Sequence, residues 1–243
     1  MVLLQLLGMV AFIAASVVLG VKLLLLWRRT HEVPEFSIGM AFLLGGGLGY
    51  LAFLALTVAA MHHDQVLVHN FSLVGLAFAC SGALSMGIGA KSIYRASVHW
   101  PWLFLAAISA CMFAGWTTLF RNPVGQVSDA FWWTITPSIA IYAWVGLEGW
   151  MLYQVLSKRA RLGMAEPVVV GRTFQWSLSS LYVVVMIGIG PIVRLTVGPD
   201  PGAYPAWAST LQSFCGLATA AAIWLGFFPP AFYRGRLAKT YGA

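Results

Sequence analysis

The chain has 243 residues, of which 60% are hydrophobic and only 9% charged, with a formal net charge of +7. A soluble domain carries about 25% charged residues, so this chain has too few to cover a water-facing surface, and lipid is the solvent that its apolar surface fits. The basic residues stand in short clusters between apolar runs rather than in a continuous stripe, which excludes a nucleic-acid partner.

A helix needs about 20 apolar residues to cross the hydrocarbon of a bilayer. Seven runs meet that length: residues 2–27, 36–61, 71–90, 100–120, 130–156, 168–193 and 206–229. They are too long and too evenly apolar for the alternating strands of a barrel. The expected fold is therefore an all-α integral membrane protein, a seven-helix transmembrane bundle forming one domain over residues 1–243. The first run follows no basic segment and is longer than the core of a secretory signal, so it reads as a retained helix. Prolines 34, 123, 167, 199, 201 and 205 punctuate the connections. Gly45, Gly46, Gly47 and Gly49 in the second run, and Gly82, Gly87 and Gly89 with Ser81 and Ser85 in the third, predict a close approach of those two helices. Pro137 in the fifth run and Gly188-Ile189-Gly190-Pro191 in the sixth predict kinks.

Lys and Arg mark the cytoplasmic side of a membrane protein. One side collects Lys22, Arg28, Arg29, Lys91, Arg95, Lys158, Arg159, Arg161, Arg172, Arg234, Arg236 and Lys239, and the other only Arg121 and Arg194, which is 12 against 2 of the 14. Seven crossings then put the N-terminus outside and the C-terminus in the cytoplasm, in a cell (inner) membrane. Trp27, Trp100, Trp132, Trp133 and Trp207 fall near run ends, where interfacial aromatics belong.

Within the fifth run stands Glu148, ten residues before Lys158, or about 15 Å along a helix. A carboxylate at that depth is costly and faces a polar cavity or a partner. It reads as a proton or ligand site, or as a structural hydrogen bond to a neighbouring helix. Lys22 is close enough to Arg28 to snorkel to the interface. On the outer side, Arg121, Asp129 and Arg194 with Trp132 and Trp133 can rim a pocket for an anionic ligand, or form an interfacial ion pair. The connection over residues 61–69 reads as a polar outer loop and holds His62, His63 and His69. Imidazoles ligate metals and haem, although this spacing matches no established metal motif. Cys80, Cys111 and Cys215 lie singly in apolar runs and suggest neither a disulfide framework nor a zinc site. No cofactor is predicted beyond the metal or haem that the histidines could take. No nucleophile elbow, phosphate loop or paired-histidine motif is present, which leans away from an enzyme.

The end of the seventh run reads Leu225-Gly226-Phe227-Phe228-Pro229-Pro230-Ala231-Phe232-Tyr233-Arg234-Gly235-Arg236-Leu237. It resembles the exit from the multi-helix membrane sensor region of bacterial histidine kinases and diguanylate cyclases, where such a segment leads into a cytoplasmic signalling part. In this sequence Pro229-Pro230 ends the helix, and Arg234 and Arg236 anchor it to headgroups. The chain stops at Ala243 with no soluble output domain, so the resemblance implies a sensor or accessory subunit that binds a small ligand or partner among its helices and couples to a separate cytoplasmic protein or membrane complex. Two further readings come from the residues alone: a proton-coupled transporter using Glu148, and a metal- or haem-binding redox subunit using His62, His63 and His69.

Overall fold

The computed structural model describes residues 2–62, 64–121, 128–198 and 205–241, and every regular element among them is helical. The helices are α1 (Val2–Thr30), α2 (Val33–Ala41), α3 (Tyr50–Met61), α4 (Gln65–Tyr94), α5 (Trp100–Arg121), α6 (Ser128–Arg161), α7 (Pro167–Thr196), α8 (Ala206–Phe227) and α9 (Ala231–Tyr241). A π-helical segment, Phe42–Gly49, joins α2 to α3 without a break. Counting α2, the π segment and α3 as one crossing, seven helical spans among the described residues are long and apolar enough to cross a membrane, the mark of a multi-pass membrane protein.

The span limits follow local chemistry. Pro34 occupies the first turn of α2, where its missing N–H costs nothing. The two-residue connection before it places His31 in the left-handed region at φ 56°. Asp64 caps α4, its carboxylate accepting from the backbone N–H of Val66 at 3.1 Å and of Leu67 at 3.0 Å. This cap starts α4 six residues earlier than the apolar run suggests, so His69 lies in the helix, not in the expected outer loop. After α6 the chain reverses at Gly163, whose φ of +72° suits glycine. The N–H of Met164 closes the turn onto Arg159 O at 2.9 Å. Pro137 and Pro191 both sit inside helices that continue past them.

The contacts fall into two compact units, one of Met1–Ala15, Tyr142–Ile189 and Pro205–Ala243, the other of Ser16–Ile141 and Gly190–Tyr204. In the second unit the glycines expected to pack closely do so. A Cβ on Gly82 of α4 would lie 2.5 Å from Gly45 N and 2.6 Å from Gly45 Cα. The π turn widens the helix where the glycine run removes its side chains, and α4 approaches there, backbone to backbone. Trp116 of α5 donates its indole N–H to Leu73 O of α4 at 3.2 Å, and Trp27 of α1 packs against Phe36 of α2 with ring centroids 4.8 Å apart.

In the first unit, α8 approaches α1 at Gly8, where a Cβ would meet Ser213 O at 2.7 Å. Gln212 of α8 donates to Met186 O of α7 at 3.2 Å. Helix α9 was not foreseen from the apolar pattern. It docks on the ends of α6 and α7: Tyr241, Ala160 and Val170 form a buried cluster with Tyr153, Leu156 and Leu237 packed against it.

Candidate functional site

Among the described residues Glu148, in the first unit, is the acid whose whole side chain is buried; Glu35 in the second unit is half-buried, with its Oε2 enclosed. Glu148 is 7% exposed, and its Oε1 accepts from the indole N–H of Trp144, one turn earlier in α6, at 3.2 Å. Burial follows from the helix surface around it, since Val145, Gly146 and Gly149 are also buried. Gly146 lies about 200° round α6 from Glu148 and Gly149 about 100°, so the glycines admit a neighbour beside the carboxylate's face rather than on it.

That neighbour at Gly146 is α7. A Cβ on Gly146 would meet Leu181 Cδ2 at 3.0 Å and Ser180 Cβ at 3.5 Å. The same helix buries Gln175, Ser177, Ser179 and Ser180. Ser179 and Ser180 bond back to Trp176 O in their own helix, at 2.8 and 3.2 Å. Ser177 crosses instead and donates to Gly146 O at 2.7 Å. Half a turn towards the start of α7, Gln175 Nε2 donates to the hydroxyl of Tyr233 in α9 at 2.9 Å. A second contact joins α9 to α6 directly, with the hydroxyls of Tyr241 and Tyr153 3.4 Å apart.

The site is thus a polar seam of α6, α7 and α9. It crosses from α6 at Gly146–Ser177 and leaves α7 through Gln175 to Tyr233, while the Glu148–Trp144 pair lies on another side of α6, two residues along. A buried carboxyl can exchange a proton or bind a hydrogen-bonding ligand. At the α9 end, burial pushes the Tyr241 phenol from 10.0 up to about 12, aided by its hydrogen bond and proximity to Tyr153 and opposed by the charge of Arg161. A shallow groove of about 450 Å³ opens beside it, lined by Ala160, Met164, Glu166, Pro167 and Tyr241 among others.

The residues expected to rim an outer pocket fall in the second unit. The Arg194 guanidinium carbon sits 4.7 Å from the centroid of the Phe131 ring, a cation–π contact. Trp132 meets the same ring edge-on at 5.4 Å. The structure therefore brings Arg194 and Trp132 around Phe131, a residue the sequence reading passed over. Trp133 is 49% exposed and Arg121 ends α5 exposed to its surroundings. The Asp129 side chain lies outside the described residues. Of the histidines, His62 is exposed and His69 half-buried, while His63 lies outside the described residues. Among the described residues no three His, Cys, Asp or Glu side chains form a group that could hold a metal ion.

Gln175, Ser177 and Tyr233 were not singled out from the sequence. The signal that could have found them is the recurrence of Tyr233, Leu237 and Tyr241 at four-residue spacing, which marks a buried face on a polar helix. No protein-family model, curated protein or solved structure matches the chain.

Proposed function

We propose that this chain is a membrane-embedded sensor or accessory subunit whose buried polar centre at Glu148 is coupled to its C-terminal helix α9. The observation that carries this reading is the double attachment of α7. Ser177 ties it to the α6 backbone two residues from Glu148, and Gln175 ties it to Tyr233 of α9. A change of protonation, or a ligand at Glu148, acts on α6 where α7 is bonded, and α7 carries the change to α9. The 12-to-2 distribution of Lys and Arg supports an N-terminus outside and a C-terminus in the cytoplasm, in a bacterial inner membrane. The end of α9 then faces a cytoplasmic protein, which receives the signal. The outer rim of Arg194, Phe131 and Trp132 supplies a cationic, aromatic surface suited to an anionic ligand or partner.

The test uses spin labels on Cys-substituted Lys158 and Lys239, with the native cysteines replaced, in proteoliposomes. The distance distribution between α6 and α9 should change in Glu148→Gln and in Ser177→Ala, and cross-linking in native membranes should recover a cytoplasmic partner. Unchanged distances in both variants, with no partner recovered, overturn the proposal. The burial of Glu148 also favours a second reading, a proton-coupled carrier. In that case Glu148→Gln would abolish proton flux measured with a pH-sensitive dye inside the liposomes, and undiminished flux would exclude it.

A further inference from the structure

Helix α8 ends at Phe227 and α9 begins at Ala231, with Pro229 and Pro230 between them. A helix that starts so soon after a membrane-crossing one starts at the membrane surface. Helix α9 carries Arg234, Arg236 and Lys239 and no acidic residue. One face is committed to protein. Tyr233 takes the hydrogen bond from Gln175, Leu237 packs on Gly171 and Tyr241 is buried. At 100° per residue these three centre on one side.

The opposite side carries Phe232, Arg236 and Lys239, spaced i, i+4 and i+7, so that they form one stripe. All three are exposed, Phe232 to 67%. We infer that this stripe docks on the headgroups of anionic phospholipids, with the Phe232 ring entering the headgroup layer and Arg236 and Lys239 pairing with phosphates. Charge complementarity selects that occupant. The neighbouring α6 end and the start of α7 expose Lys158, Arg159, Arg161 and Arg172 against one exposed acid, Glu166. Such a density of cations beside a membrane attracts anionic lipid. Free phosphate satisfies the charges but offers nothing to the aromatic ring, so the stripe fits a lipid surface better than a soluble anion. This inference does not depend on the role of Glu148.

Hydrogen exchange of residues 231–241 in the full chain tests it, using nanodiscs of phosphatidylcholine with and without phosphatidylglycerol. Exchange should be slower with phosphatidylglycerol, and the difference should shrink as salt is raised. Each cation removed, in Arg236→Gln and Lys239→Gln, should cut the lipid-dependent protection about fivefold, and Phe232→Ala should weaken it while thermal unfolding of the rest stays as in the wild type. Equal exchange in the two lipids overturns the inference. So does protection produced by inorganic phosphate alone in phosphatidylcholine discs, which would mean an anion site without a membrane. Lipid-independent exchange with cross-links from position 236 to an acidic protein would assign the stripe to that protein instead.

Discussion

Ser177 of α7 gives its hydroxyl proton to the backbone carbonyl of Gly146 in α6, at 2.7 Å and fully buried. The acceptor already belongs to a helix, so Ser177 adds a bond between helices without breaking one within them. It also sets the rotation of α7, because Ser179 and Ser180 are left to bond to their own helix.

Ser177→Ala removes this bond and leaves the helices otherwise matched. Interhelical hydrogen bonds in membranes are worth about 0.6 kcal/mol on average and up to about 2 kcal/mol. Thermal or denaturant unfolding in detergent should show a loss in that range. Ser179→Ala should cost less, since its partner lies within its own helix. An equal loss in the two variants would mean that the crossing bond contributes nothing special.

The second prediction concerns packing. A methyl group on Gly82 would collide with the Gly45 backbone at 2.5 and 2.6 Å and come within 3.1 Å of Ala41 O. Backbone cannot step aside as a flexible side chain can, so Gly82→Ala should destabilise by about 3 kcal/mol or more. Gly188 of α7 is the contrast, with nothing within 4 Å of an added Cβ. Gly188→Ala should stabilise the protein by about 0.5–1 kcal/mol through the lower entropy of the unfolded chain. Comparing the two melting temperatures checks both directions at once.

These cases show what the sequence makes legible. Span number comes from run length, because seven apolar stretches long enough to cross hydrocarbon have no other stable form. The approach of the second span to α4 is legible too, from the small residues at Gly45 and Gly82. The π turn is not, because a run of glycines has no side chains to reveal a period. The start of α4 was misplaced because Asp64, read as part of a polar loop, acts as its cap. Helix α9 stayed hidden because Arg234, Arg236 and Lys239 mask the four-residue spacing of its docked face. Glu148 drew attention as an expensive carboxylate, and its burial follows. The path proposed from it to α9 depends on which serine bonds across to α6, and Ser177 and Ser180, three residues apart, both border Gly146, so serine spacing alone does not reveal it.

The third prediction is a pH dependence. The Tyr241 phenol is raised from 10.0 to about 12, so the folded state favours the protonated form. Its contribution to α9 docking is complete below about pH 10 and is lost as pH rises through about 12. A spin label at position 239 should stay immobile at pH 9 and gain mobility towards pH 12. Tyr241→Phe should hold its mobility constant over the same interval, apart from a small pH-independent loosening from the missing hydroxyl contact. A variant as pH-sensitive as the wild type would assign the transition to another group.

The last prediction concerns orientation, which the charge count proposes. Helix α7 has 30 residues, a rise of about 45 Å against a hydrocarbon core of about 30 Å. Its two ends must therefore lie on opposite sides if it crosses. Leu162 lies in the turn just before it, 71% exposed, and Leu195 in its last turn, 74% exposed. Cysteine at either position should be reachable by a thiol reagent that cannot cross lipid. Cys80 and Cys215 are buried and Cys111 is half-buried, so replacing Cys111 suffices to lower the background. In intact spheroplasts Leu195→Cys should label at once, and Leu162→Cys only after the membrane is permeabilised. The reverse pattern would place the cation-rich end outside. That result would overturn the cytoplasmic assignment of α9 and, with it, the proposed partner. The bonds from Glu148's helix through Ser177 and Gln175 to Tyr233 would stand unchanged, but the signal proposed for them would run the other way across the membrane.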